Sequence, residues 1–327
     1  MIFSQAKEIP LPFNPDLGII QGGKAEFLLA NSFGKLLLLN AELEVLNEIN
    51  LAKRLLAIDY SSRYKIIGTA NENALNIHDP SGEILHILLG DYQQLKISGD
   101  KIWAIKKQSP HKKVLEIYSI GSWNQLAKLE FADPFGASQI SFGQLALENR
   151  DALLMEFSEG TDNRRIIVWE LIGKKIRARH SELDIHFPES YSPSAKKYLQ
   201  SDIHHLAVYH SDSHQRIYAY EIPADLGSVI SPFFLSENRI LLPTEEGQFY
   251  IFDLFSKKII DNLRLKIPQS DGLENLGSSV PNMISRIDKW VFALYQISRG
   301  SKKNICFLYA FDLDEYEIEG KQLKLFR

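Results

Sequence analysis

The sequence has a single cysteine, no long apolar run and no excess of positive charge. One cysteine excludes an intramolecular disulfide, and Cys306 lies in the apolar run 304–310, which favours a buried, inert thiol in a reducing compartment. No stretch approaches the ~18 apolar residues of a membrane span, and residues 1–10 lack a basic segment followed by an apolar one. We therefore expect a cytoplasmic protein without a transmembrane segment. The formal net charge of −4 argues against specific nucleic-acid binding.

What the sequence does contain is a repeated strand end. The 327 residues, 45% of them hydrophobic, include seven short apolar runs that each close on a polar residue. The closing residues lie from 32 positions apart (Glu221 to Asp253) to 59 apart (Asp253 to Asp312), the scale of a propeller blade with loop insertions. The runs are Leu36 to Asn40, Leu75 to Asp79, Leu115 to Ser119, Ile166 to Glu170, Ile217 to Glu221, Phe249 to Asp253 and Leu308 to Asp312.

Strand-like segments rich in Val, Ile, Leu, Phe and Tyr flank each run, so every unit becomes a four-stranded meander. The middle segments are almost continuously apolar, as expected where sheets pack face to face. We predict an all-β fold in one domain, a seven-bladed β-propeller of four-stranded antiparallel blades whose ring is closed by the chain termini. Either Ile2 to Ile9 or Gln322 to Phe326 would supply the closing strand, and we favour the N-terminal one. The predicted blades are 17–50, 53–88, 92–130, 137–180, 190–229, 230–265 and 281–327.

The aromatic-plus-acid strand ends resemble the WD position of WD repeats. The nearest matches are Trp169-Glu170, Phe252-Asp253-Leu254 and Phe311-Asp312-Leu313, and Tyr191 to Leu199 is similar to the turn between the first two strands of a WD blade. The Gly-His dipeptide of standard repeats is absent. The resemblance is therefore to a divergent WD-repeat-like, or quinoprotein-like, propeller, and the aromatic residues at these ends are expected to pack between blades.

Catalytic signatures are missing. The sequence has no Gly-x-Ser-x-Gly elbow, phosphate-binding loop or dinucleotide fingerprint. We predict no enzymatic activity and no cofactor. Histidines concentrate between His180 and His214, and His210 with His214 and Asp184 or Asp212 would be the nearest approach to a zinc site. Because adjacent His204 and His205 point to opposite faces of a strand, we expect no metal there.

The remaining functional signal is in the loops. Loops between the second and third strands of a blade, and between successive blades, emerge on one face of a WD-type propeller, and several are long here. They carry cations with few acids among them. The candidate partner-binding residues are Lys106, Lys107, Lys112, Lys113, Arg164, Arg165, His210, His214, Lys302 and Lys303.

Three functions remain open at this point. The favoured one is a non-catalytic scaffold that binds protein partners through the loop-elaborated face, as a subunit of a larger assembly. The second is a propeller enzyme or small-ligand binder that uses the central channel. The third is a weak binder of polyanions or anionic membranes through the basic loops. A fold so widely reused does not choose among them.

Overall fold

The structure is a computed structural model that describes residues 7–21, 26–134, 139–143, 152–159, 163–183, 190–192, 194, 196–201, 205–211, 213, 215–244, 248–264, 283–287, 290–299, 302–312, 316–318 and 321–323. The chain divides into two compact units, each described by itself. The first comprises Pro15–Leu39 and Val45–Phe187, and the second comprises Met1–Asn14, Asn40–Glu44 and Pro188–Arg327.

The described chain is almost entirely β-strand. The strands up to residue 183 are β1 (Lys7–Leu11), β2 (Gly18–Gln21), β3 (Glu26–Ala30), β4 (Lys35–Asn40), β5 (Val45–Asn50), β6 (Ala57–Ser61), β7 (Ile66–Ala70), β8 (Ala74–His78), β9 (Ile84–Leu89), β10 (Tyr92–Ser98), β11 (Lys101–Ser109), β12 (Lys112–Ser119), β13 (Gln125–Ala132), β14 (Gln139–Gly143), β15 (Ala152–Glu159), β16 (Asn163–Ile172) and β17 (Lys175–Leu183).

The later strands are β18 (Ser190–Tyr191), β19 (Lys197–Ser201), β20 (His205–His210), β21 (Arg216–Glu221), β22 (Phe233–Ser236), β23 (Arg239–Pro243), β24 (Gln248–Asp253), β25 (Lys258–Arg264), β26 (Met283–Ile287), β27 (Trp290–Arg299), β28 (Lys302–Asp312), β29 (Tyr316–Ile318) and β30 (Lys321–Leu323). A short 3₁₀ turn, Ala224–Leu226, follows β21.

These strands build four-stranded antiparallel sheets, the blades of a β-propeller. In the first unit, β2–β5, β6–β9, β10–β13 and β14–β17 each form one sheet, which we call blades 1 to 4. In the second unit, β18–β21 and β22–β25 form blades 5 and 6. Within a blade, consecutive strands are neighbours, so hairpins make every connection. The β29–β30 hairpin is a separate two-stranded sheet.

The last four-stranded sheet is built differently. Its order is β1-β28-β27-β26, so its outer strand comes from the N-terminal end of the chain, with Ile9 opposite Leu308. We call it the composite sheet. The favoured N-terminal strand thus pairs beside β28, while Lys321–Leu323, which overlaps the competing segment, pairs with β29.

The prediction of seven blades was wrong, and closure of a ring by the chain termini is not shown by the described strands. Only six described sheets consist of four consecutive strands, and we count these six as blades. Seven strand ends were counted as seven blades because the last one, in β28, has the same local pattern as the others. Its sheet is completed by a strand from nearly 300 positions away, which the repeat does not reveal. Pairing of β1 with β28 joins strands within the second unit and is not in itself closure of a ring.

The hydrophobic core lies between adjacent blades. Leu28, Leu36, Tyr60 and Ile67 form one cluster between blades 1 and 2, all of them buried. Similar clusters join blades 2 and 3, blades 3 and 4, and blades 5 and 6. Because both faces of a middle strand are covered, every residue of β7 and β8 is buried. This arrangement explains the near-continuous apolar middle segments.

Three of the polar residues at the strand ends, Asn40, Asp79 and Asp253, have a local structural role. Asp79 Oδ1 accepts hydrogen bonds from the amides of Ser81 and Glu83, at 2.8 and 3.0 Å, and so fixes the turn between β8 and β9. Asp253 does the same for Ser256, and Asn40 for the amide of Glu44. A short acceptor side chain that binds its own backbone two to four residues ahead stabilises such turns. At these three ends, the polar residue that closes the apolar run is therefore a turn signal.

Candidate functional site

The first predicted basic loop, the β11–β12 hairpin, does not present all four of its lysines to solvent. Lys113 is buried, and its ammonium lies 2.7 Å from Asp133 Oδ2, itself fully enclosed. Lys112, one position earlier, is exposed. Neighbouring strand residues point to opposite faces, so a lysine doublet inside a strand cannot supply two surface cations on one side. Lys113 is therefore not an exposed cation of this loop, and its predicted contact with a partner is untested.

Lys106 is also engaged within the protein. Its Nζ donates to the carbonyl of Leu89 at 3.1 Å and lies 5.5 Å from the centre of the Tyr92 ring. The stem passes so close to Gly90 that a Cβ there would lie 2.3 Å from Lys106 Cε. Lys107 is half-buried. Of the four lysines in this hairpin, only Lys112 is fully exposed.

The other predicted residues are distributed over both units. Arg164 and Arg165 lie in β16, where the Arg165 side chain is exposed, and His210 is exposed at the end of β20. Lys302 and Lys303 begin β28. The side chains of Arg164, Lys302 and Lys303, and the whole of His214, lie outside the described residues. A role for the exposed members in partner binding stays a prediction.

A cleft of about 300 Å³ lies in blade 2, within the first unit. One wall is the β5–β6 connection with Lys53, Arg54 and Leu56, and the other is the β7–β8 turn. The turn contributes Asn71, Glu72 and Asn73, with Ala74 and Asn76 following in β8. The lining residues are therefore two cations, one acid, three amides and the apolar side chains of Leu56 and Ala74. Nothing in the sequence pattern marks this cleft, because its loops are short.

The outer edge of blade 2 is apolar. Four aliphatic side chains of β9 are exposed: Ile84 by 42%, Leu85 by 48%, Ile87 by 47% and Leu89 by 78%. The strand has β8 on one side and no strand on the other in the described sheet. An unpaired, apolar strand edge is a template for another extended segment.

One buried titratable group lies beside this edge. His78 ends β8, with Nε2 3.2 Å from Thr69 Oγ1 and Nδ1 3.1 Å from the carbonyl of Gly82. A proton on Nδ1 satisfies both contacts, because Nδ1–H then donates to the carbonyl and Nε2 accepts from the hydroxyl. Burial lowers the pKa of His78 below its ordinary 6.5. At neutral pH, His78 is therefore an uncharged, hydrogen-bonded part of the core.

The described part of the chain contains no arrangement typical of a metal site. No group of three or more His, Cys, Asp or Glu side chains there is placed to hold a metal ion. His204, His214, Asp184 and Asp212 lie outside it. No helix among the described residues is long and apolar enough to span a membrane. Cys306 is buried 3.6 Å from Asn14 Oδ1, and burial raises the pKa of its thiol.

Comparison with known proteins adds no family. No family model matches the chain, and no curated protein matches it. The β-propeller of four-stranded sheets is thus established by the structure, and the resemblance to WD repeats remains a likeness of strand ends.

Proposed function

We propose that the protein is a non-catalytic interaction scaffold that binds an extended, apolar segment of a partner protein along the outer edge of β9. The observation that carries this proposal is the exposure of four aliphatic side chains on one edge strand. Binding by strand addition uses main-chain hydrogen bonds for affinity and alternate side chains for specificity. The strand Ile84–Leu89 offers both an open backbone edge and apolar side chains.

Comparison of β9 with the other outer strands supports this assignment. Each of the others carries charge: Glu48 in β5, Lys128 and Glu130 in β13, Lys175 and Arg177 in β17, Arg216 and Glu221 in β21, Lys258, Asp261 and Arg264 in β25, and Lys7 and Glu8 in β1. The sequence of β9, ILHILL, contains no Asp, Glu, Lys or Arg. Charged side chains protect a sheet edge from unwanted pairing. Blade 2 lacks that protection.

The edge is also held in place from both sides. His86, in the middle of β9, stacks on Trp123 of blade 3 with ring centres 5.4 Å apart and planes 10° from parallel. On the blade 1 side, the Asn47 side chain donates to the carbonyl of Pro80 at 2.6 Å. Since the strand is supported before any partner arrives, little ordering is needed on binding.

Exposed residues of blade 1 extend the apolar surface. Val45 and Leu46 of β5 are 45% and 47% exposed, and they precede Asn47. Ile49 of the same strand touches Gly82, in the turn that leads to β9. A partner segment on β9 therefore finds further apolar contact on this side, which favours an apolar partner over an acidic or basic one.

Site-specific photo-crosslinking tests the proposal in the source cell. A photoreactive amino acid in place of Leu85 should crosslink a partner protein, while the same group in place of Ile172, 54% exposed in blade 4, should not. The double variant Ile87→Lys/Leu89→Lys should abolish the crosslink from position 85, because charge on the edge opposes strand pairing. Circular dichroism verifies that the variant is folded.

Three results would overturn the proposal. Identical products from positions 85 and 172 would show nonspecific capture. A product from position 85 that survives Ile87→Lys/Leu89→Lys would place the contact elsewhere. A product that contains only a second copy of this chain would make β9 a self-association edge in place of a partner site.

A further inference from the structure

The cleft of blade 2 carries an inference independent of the β9 edge. Its first wall is the connection between β5 and β6, which is fixed by backbone hydrogen bonds on both sides of its cations. The amide of Leu51 donates to Gly34 at 2.9 Å, that of Leu55 to Ser32 at 2.8 Å and that of Leu56 to Ala70 at 2.9 Å. Lys53 and Arg54 lie between these anchors, so their backbone is held in one conformation.

A strained residue stands immediately before the two cations. Ala52 has a φ of 49°, in the left-handed region that residues with a Cβ rarely adopt. Its amide is held by Asn50 Oδ1 at 3.1 Å. Local strain of this kind persists where the surrounding structure demands it and is concentrated at binding sites.

The second wall is an equally rigid turn. Asn71 Oδ1 accepts the amides of Asn73 and Ala74, at 2.8 and 2.9 Å. The carbonyls of Asn71 and Asn73 accept the amides of Tyr92 and Gly90, at 3.0 and 2.9 Å. Both walls are thus formed in advance of any ligand, which reduces the free-energy cost of binding.

The lining defines the chemistry of a ligand. Lys53 and Arg54 are exposed, and within the described chain neither side chain makes a hydrogen bond or an ion pair. Glu72 is the one acid of the cleft, so positive charge prevails there. The amide of Asn76, only 3% exposed, adds a polar group to the lining. Ammonium, guanidinium and amide donors together recognise oxyanions, and about 300 Å³ suits a small polar molecule or a single side chain.

We propose that the cleft between Lys53–Arg54 and Asn71–Asn76 binds an oxyanion, a carboxylate or phosphate group. Lys53 and Arg54 supply the charge, and the amides of Asn73 and Asn76 orient the bound group. Glu72 opposes the binding of an anion and so limits the affinity. The oxyanion can belong to a free metabolite or to an acidic side chain of a protein. Different probes should bind in the two cases.

Calorimetric titration of the full chain tests this site with three probes: inorganic phosphate, citrate and a glutamate-rich hexapeptide. At least one should bind saturably at low salt, with an affinity that falls at least about tenfold in Lys53→Gln/Arg54→Gln. The matched control is Lys174→Gln/Lys175→Gln, an exposed lysine pair in blade 4, which should keep the wild-type affinity. Glu72→Gln should bind more tightly, because an opposing charge is removed.

The probes distinguish the sources. Binding of phosphate or citrate indicates a free small molecule, and binding of the hexapeptide alone indicates an acidic protein segment. The proposal is overturned if none of the three probes saturates the site up to about 10 mM, a concentration well above the dissociation constant of a specific site. Equal losses in the two double variants would overturn it as well, since they would indicate general charge attraction only. Unchanged thermal midpoints would show that both double variants are folded.

Discussion

The ammonium of Lys113 lies 2.7 Å from the carboxylate of Asp133, and both side chains are almost completely enclosed, with 4% and 0% of their surfaces exposed. Lys113 lies in β12 opposite Phe131, and Asp133 follows β13 directly. The amide of Asp133 donates to the carbonyl of His111 at 3.1 Å, so the pair fastens the end of the hairpin sheet in blade 3. A buried pair like this one matters most when a single partner is removed.

We therefore expect Asp133→Leu to destabilise the protein by about 3–5 kcal/mol, because it leaves a buried ammonium without its counter-charge. The double variant Lys113→Met/Asp133→Leu should recover most of that loss, since it removes both charges of the pair. Urea denaturation followed by circular dichroism measures both.

The surface pair Lys101–Asp100 supplies the control. Its Nζ–Oδ1 distance is 2.6 Å, but Asp100 is 66% exposed, so Asp100→Asn should change stability by less than about 1 kcal/mol. The buried pair does not have the energetic role assigned to it if Asp133→Leu lowers stability by no more than Asp100→Asn does. The same conclusion follows if Lys113→Met/Asp133→Leu is as destabilised as Asp133→Leu alone.

His78 gives a pH dependence of defined sign. Burial lowers its pKa below the ordinary 6.5, so the unfolded chain binds a proton at a higher pH than the folded one. The stabilisation is fully present above about pH 6.5 and is lost as the pH falls towards the lowered folded value. We expect the free energy of unfolding to decrease from pH 7.5 to 5.5, and His78→Gln to flatten that decrease. Denaturation series at both pH values test this, and an unchanged slope in the variant would contradict it.

The local features of the fold could be predicted from the sequence, and its distant pairings could not. Asp79 and Asp253 mark strand ends because their side chains bind the next few amides, a property of neighbouring residues. The composite sheet depends on the pairing of Ile9 with Leu308, which has no local signature. The count of seven blades was wrong for that reason.

The candidate sites show the same division. Leu85 and its neighbours were identified as a strand-like segment, but only the sheet order shows that this strand is an open edge. The cleft depends on residues about twenty positions apart, Lys53 and Asn73, brought together by the antiparallel pairing of β6 and β7. The burial of Lys113 depends on Asp133, also twenty positions away. Loop length and charge, the signals used in the sequence, carry none of this information.

A buried polar triad in blade 3 leads to a further prediction. Glu116 Oε2 accepts hydrogen bonds from the hydroxyls of Tyr92 and Tyr118, at 2.8 and 2.6 Å. Burial first, and then the bond to Glu116, raises the pKa of Tyr118 far above its ordinary 10. Glu116→Gln removes the negative charge and should lower the pKa of Tyr118, although burial keeps it above 10.

NMR titration of ¹³C-labelled tyrosine measures this change, with Tyr118→Phe to assign the signal. Glu116→Gln should also destabilise the protein by about 1.5–3 kcal/mol, the usual contribution of a hydrogen bond to a charged group. A Tyr118 signal that titrates at the same pH in the wild type and in Glu116→Gln would mean that the Glu116 carboxylate does not raise the pKa of the Tyr118 hydroxyl.

Gly34 supports the cationic wall of the cleft, and its replacement tests that support. Its φ is 82°, and a Cβ at this position would lie 2.6 Å from the backbone oxygen of Lys53. Gly121 has a similar φ of 92°, but a Cβ there meets nothing within 4 Å. The left-handed backbone costs both alanine variants about 1–2 kcal/mol. Gly34→Ala should lose about 1–3 kcal/mol more, because a backbone atom must move to admit the methyl group.

The comparison of these two variants separates the energetic cost of the steric clash with Lys53 from the cost of the left-handed backbone conformation. Thermal and urea denaturation measure the difference in stability, and titration with the oxyanion probes measures the cleft. Gly34→Ala should weaken oxyanion binding through displacement of Lys53, while Gly121→Ala should bind as the wild type does. Equal stabilities for the two variants would show that the β5–β6 connection moves freely, and a preformed wall at Lys53 and Arg54 would then be excluded.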